Sequence, residues 1–189
     1  MRNALRALAA FVLTALALPV AAQPPASTLV ILVRHAEKAK LPADDPDLSP
    51  AGKARAAALV AALESSGVDV VITTEFLRTR ETARPLASVR HLQPIVVQSS
   101  DDTAAHAGAV AAEIARHAGH TILVVGHSNT VPAIVTALGG PSLPEICDDR
   151  FATLFVLNLA PPAAPRLVTA SYGAADPPST ACGGGMRQQ

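Results

Sequence analysis

Two segments place cationic and nucleophilic side chains directly behind short apolar runs. Arg34-His35-Ala36-Glu37 follows Thr28 to Val33, and Gly126-His127-Ser128 follows Thr121 to Val125. Arg78 stands a few residues beyond a third run, Val68 to Thr73. A neutral imidazole can attack phosphorus or hold a proton. A guanidinium stays charged and presents a planar fork that matches two oxygens of a phosphate. In open α/β sheets the ligand sits beyond the carboxyl ends of the strands. If the three runs are parallel neighbours, Arg34, His35, Arg78 and His127 meet at one sheet edge. The whole chain is neutral, with 15 basic and 15 acidic residues, so this is a local cationic pocket. Its natural ligand is a phosphate.

The elements that must position these groups follow from the apolar patterning. The β-branched run Thr28 to Val33 reads as a buried strand. Ser49-Pro50 reads as an N-cap followed by proline at the first helical position, opening a helix that stops at Gly67. Val68 to Thr73 is a second strand, and Leu77 to Ser88 a helix that Pro85 must kink or shorten. Ile95 to Gln98, Thr103 to His117 and Thr121 to Val125 read as strand, helix and strand. A further helix starts near Ser128, and Ala152 to Leu159 and Arg166 to Tyr172 form a closing strand pair. Four alternations of strand and helix predict an α/β three-layer sandwich with a mainly parallel sheet of about six strands.

The motifs resemble those of the histidine phosphatase (phosphoglycerate mutase-like) superfamily. Arg34-His35-Ala36-Glu37 is similar to its Arg-His-Gly-Glu signature, and Thr74 to Ala83 resembles its second arginine segment. Gly126-His127-Ser128 resembles its second-histidine motif, and Leu48-Ser49-Pro50-Ala51-Gly52 the helix start between the first two. The resemblance implies two-step phosphoryl transfer, with His35 as nucleophile and Arg34, Arg78 and His127 binding the phosphoryl oxygens. It implies no metal and no cofactor. Ala36 stands where the family has Gly, a strain of roughly 1 kcal/mol if the backbone there needs a positive φ. The general acid is expected after the third strand, where Asp101 and Asp102 are the candidates.

Rival readings share these residues. Gly126-His127-Ser128-Asn129-Thr130 approaches a nucleophile elbow and makes Ser128 a candidate serine esterase nucleophile. Against that, position 130 is not Gly and no His follows Ser128 in the chain. A phospholigand-binding module that has lost turnover is the non-enzyme alternative, and a mutase the third. His106, His117 and His120 have no zinc-site spacing and read as an exposed helix face. Arg80 and Arg84 read as a solvated face, while Glu37 and Lys38 border the pocket or face water.

Composition sets the remaining limits. The 189 residues are half apolar, enough for one domain with a sizeable core. Zero net charge, no Trp and 3% aromatic residues argue against a nucleic-acid partner. Arg2, Arg6, the apolar run Leu8 to Leu18 and the small residues Val20-Ala21-Ala22 have the layout of a secretory signal peptide over 1–22. That run is shorter than the about 20 residues a membrane helix needs, so no stable membrane insertion is expected. The expected organisation is a domain over 23–175, exported to a bacterial periplasm, and a flexible tail over 176–189. In that compartment Cys147 and Cys182 either form a disulfide or remain two free thiols. A small phosphorylated substrate is the expected partner; neither its identity nor the oligomeric state is written in the sequence.

Overall fold

The structure, a computed structural model, describes residues 27–178. The expected signal peptide, Cys182 and most of the expected tail lie outside the described residues. The chain order is β1 (Thr28–Arg34), α1 (Pro50–Ala62), β2 (Val70–Thr73), α2 (Leu77–Val89), β3 (Ile95–Val96), α3 (Thr103–Arg116), β4 (Thr121–Gly126), α4 (Thr130–Ala137), β5 (Thr153–Leu159) and β6 (Arg166–Ser171). The sheet order is β3-β2-β4-β1-β5-β6. The first four strands run parallel, and β5 and β6 add an antiparallel pair.

Strand alternation builds the three layers. Along β1, Val30 and Leu32 face one core with Ile122, Val124, Val110, Ile114 and Ile134, beneath α3 and α4. Ile31 and Val33 face the other, with Leu59, Leu86, Val71, Leu123 and Val125, beneath α1 and α2. Central parallel strands are buried on both sides and therefore read as continuous apolar runs. Pro85 does not end α2, which continues to Val89. Buried Ala83, Leu86 and Ala87 hold that helix on the sheet and offset the roughly 3 kcal/mol that an internal proline costs. The third strand is shorter than expected, two residues paired with Ile72 and Thr73. Among the described residues no helix is long and apolar enough to cross a membrane.

The register brings the two histidine motifs together. Arg34 pairs with Gly126 at the ends of β1 and β4, and the His35 N–H donates to the Gly126 carbonyl at 2.9 Å. Both histidines therefore leave the same edge one residue beyond the ladder. The helix start expected at Ser49 is also built: its Oγ accepts from Gly52 N, and Pro50 stands at the first helical position. The Ser49 N–H donates to the Glu37 carbonyl at 2.8 Å, so α1 opens directly against the loop that follows His35. Glycine is required at 52, because a Cβ there would lie 2.1 Å from that same carbonyl oxygen.

Candidate active site

A cavity of about 880 Å³ opens at this edge, lined by Arg34, His35, Arg78 and His127 together with Lys38, Phe76, Ser99, Ser100, Asp101, Ser128, Asn129, Thr130, Asp148 and Phe151. The His35 and His127 rings lie edge to face, centroids 5.5 Å apart. His35 is 5% exposed, and its Nδ1–H donates to the Ala36 carbonyl at 2.8 Å. A carbonyl can only accept, so the one proton of the neutral ring sits on Nδ1 and Nε2 keeps its lone pair. Burial, reinforced by the charges of Arg34 and Arg78, pushes the imidazole down to about 3. His127 is pushed down to about 4 by burial and then by Arg78. Near neutral pH both rings are uncharged and the two guanidiniums supply the positive field.

Each guanidinium is oriented from behind. Arg34 Nη1 donates to the carbonyls of Cys147 (2.7 Å) and Arg150 (3.2 Å), and its Cζ lies 4.4 Å from the centroid of the Phe151 ring. Among the described residues its Nε has no hydrogen-bond partner. Arg78 stacks on Phe76 at 4.2 Å and approaches Asp45 at 3.9 Å. Asp45 also accepts from the Leu77 N–H, at the start of α2. Burial lowers both arginines from their ordinary value, Asp148 opposing it at Arg34 and Asp45 at Arg78. A guanidinium tolerates such a shift and stays charged.

Three threonines of the second arginine segment, to which spacing assigned no role, tie the site together. Thr82 Oγ1 accepts from the Ala36 N–H at 2.9 Å and donates to the Arg78 carbonyl at 2.7 Å. One hydroxyl thus links the loop after His35 to the turn carrying Arg78. Thr74 Oγ1 is hydrogen-bonded to His127 Nε2 (3.2 Å) and to Thr79 Oγ1 (2.9 Å). All three threonines are almost wholly buried. A hydroxyl residue four positions after Arg78, one helical turn on, was the available signal.

The expected strain at Ala36 is absent. Among the described residues only His91 has a positive φ outside glycine, and the Ala36 methyl is buried with Leu48 and Ala56. Asp101 lines the cavity, whereas Asp102 does not. The Asp102 carboxylate accepts from Ala104 N and Ala105 N as the N-cap of α3. Its place in the catalytic set has no geometric support, because a carboxylate held at a helix start points along that helix. Glu37 accepts three hydrogen bonds from Arg55, which outweigh burial and hold its carboxyl below the usual range; Lys38 lines the cavity.

His106 is buried rather than exposed and donates from Nδ1 to the Gln98 carbonyl, while His117 and His120 pair with Glu113 and Asp69. Among the described residues no cluster of His, Cys, Asp and Glu is arranged to hold a metal. Cys147 is disulfide-bonded.

The family model for the histidine phosphatase superfamily (branch 1) matches residues 30–101, which contain the Arg34-His35 and Arg78 motifs. Among curated proteins none matches the chain. Among solved structures, the protein assigned as phosphohistidine phosphatase SixA of Nakamurella multipartita is 24% identical, with a TM-score of 0.58 over 80% of this chain and 100% of that one. A protein histidine phosphatase SixA complexed with tungstate is 18% identical, with a TM-score of 0.59 over 76% and 96%. A mycobacterial glucosyl-3-phosphoglycerate phosphatase is 15% identical, with a TM-score of 0.59 over 79% and 100%. The structural likenesses establish the shared fold, and the family match covers the segments that carry Arg34, His35 and Arg78. Over residues 30–101 the chain is similar to the histidine phosphatase superfamily (branch 1), and its fold is the one these solved structures share.

Proposed function

We propose that the protein is a phosphatase that hydrolyses a small phosphomonoester through a phosphohistidine on His35. The observation that carries this reading is the His35 tautomer: Nδ1–H is spent on the Ala36 carbonyl, leaving an unprotonated Nε2 in a cavity with two arginines. Nε2 attacks phosphorus in line with the ester oxygen; the N–P bond forms, the P–O bond breaks, and the leaving alkoxide takes a proton. Water then attacks the phosphohistidine, releasing inorganic phosphate and restoring the ring. Arg34, Arg78 and His127 hold the equatorial oxygens, where positioning and charge supply most of the rate. Asp101, which lines the cavity, is the carboxyl we assign to protonate the leaving group. The cavity exceeds what a phosphate alone fills, which suits a small ester bound together with its organic part. The amino-terminal layout supports action outside the cytoplasm, in a bacterial periplasm.

The test is phosphoenzyme trapping. Mixed with a labile phosphoester and quenched in alkali, the wild type gains one phosphate on His35, and His35→Ala gains none and turns over nothing while folding normally. Label on another residue, or turnover by His35→Ala, removes the nucleophile. Reversible binding without label points to the phospholigand-binding module instead.

A further inference from the structure

Asp176 follows the last strand and falls outside every motif, yet its side chain is 8% exposed and fully engaged. Oδ1 accepts from the Phe151 N–H (2.8 Å) and the Ala152 N–H (3.0 Å), and Oδ2 from the latter at 3.2 Å. Arg55 Nη2 lies 3.9 Å away, and Arg55 also holds the Ala174 carbonyl and the Glu37 carboxylate. A carboxylate removed from water needs such partners. One of those partners, however, is the main-chain amide of Phe151, a residue on the wall of the cavity.

The Phe151 N–H and the Arg150 carbonyl are the two ends of one peptide group. The carbonyl end accepts from Arg34 Nη1, and the N–H end donates to Asp176. A peptide group is planar, so fixing its N–H direction fixes the direction of its carbonyl. The next atoms along the chain carry the Phe151 ring on which Arg34 stacks. We infer that Asp176 is a positioning residue for the phosphate clamp, acting on Arg34 through the Arg150–Phe151 peptide. This rests on the reading of Arg34 as a phosphate ligand. It makes the segment after β6 part of the working site rather than a trailing end.

The experiment is a double-mutant cycle read by inorganic phosphate binding, with thermal denaturation followed alongside. Asp176→Ala weakens phosphate about tenfold when Arg34 is present and has no further effect in Arg34→Ala, because contacting residues couple and independent ones add. Asp176→Asn, which keeps an acceptor oxygen for the amides, recovers most of the affinity. Equal losses in both backgrounds, or unchanged affinity in a folded Asp176→Ala, overturn the inference and leave the phosphatase reading standing. Unchanged affinity in Arg34→Ala alone overturns both. If Asp176→Ala does not fold, the same cycle with Asp176→Glu, which keeps the charge beside Arg55 but displaces the oxygens, carries the same expectation.

Discussion

Acidification between pH 7 and 5 unloads this fold through its two site histidines. In the unfolded chain both imidazoles take up protons near 6.5; in the folded protein His35 does so at about 3 and His127 at about 4. Burial is the largest cause at both. The unfolded state therefore binds more protons throughout the interval, and stability falls as pH drops below about 6.5 until the folded values are reached. Each histidine contributes about 1.4 kcal/mol per pH unit. Going from pH 6.5 to 5 thus costs about 2 kcal/mol per ring and about 4 for the pair, against a typical total of about 5–15 kcal/mol. The melting temperature should fall by on the order of 10 °C over that span. Differential scanning calorimetry at pH 7, 6 and 5 measures it, above the range where carboxylates titrate. His35→Gln removes about half of the slope, and the double variant with His127→Gln nearly all of it. A wild type equally stable at pH 7 and 5, or an undiminished slope in the double variant, would refute the claim that both rings are held neutral by burial.

Three further outcomes follow from single contacts. Thr82→Val leaves the buried Ala36 N–H without its acceptor and should cost about 1–3 kcal/mol in urea denaturation, with slower turnover, while Thr82→Ser stays near wild type. Gly52→Ala forces α1 away from the Glu37 carbonyl and should depress activity, whereas Gly108→Ala on α3 meets open space and should raise stability by about 0.5–1 kcal/mol in the same denaturation assay. Asp101→Asn should slow hydrolysis of alkyl phosphates far more than that of a nitrophenyl phosphate, whose leaving group needs no proton; Asp102→Asn, retaining the cap, should leave both rates unchanged.

Apolar runs carried the element order, because central parallel strands are buried on both faces and can hold little but Val, Ile and Leu. Helix faces were harder to read. In α3 the alanines at 104, 105, 107, 111 and 112 flatten the apolar contrast, so His106 read as exposed although it shares the inward stripe with Ala107, Val110 and Ile114. Arg34, His35, Arg78 and His127 were legible because each ends or directly follows a strand or opens the next helix. Asp45, Arg55, Phe151 and Asp176 were not. Arg55 acts through loop carbonyls more than 100 residues away, Phe151 by stacking under Arg34, Asp176 through the amides of Phe151 and Ala152, and Asp45 through a contact at the start of α2; no periodicity links such positions.

The partners of the arginines explain how a neutral chain keeps a positive pocket. Arg55 is met by the carboxylates of Glu37 and Asp176, both largely covered, and its field is cancelled locally. Arg34 and Arg78 are oriented instead by groups without net charge, two carbonyls and a phenyl ring for Arg34 and a phenyl ring for Arg78. Their nearest carboxylates stand at the rim, Asp148 with 96% of its side chain exposed and Asp45 with 38%. Water and salt screen such pairs, so they subtract little from the field inside the cavity. Three buried or half-buried arginines thus divide by partner type, one locked as structure and two left with their charge largely uncompensated at the cavity. Moving a carboxylate from the rim to within contact of Arg34 should therefore weaken phosphate binding even where the fold is unchanged.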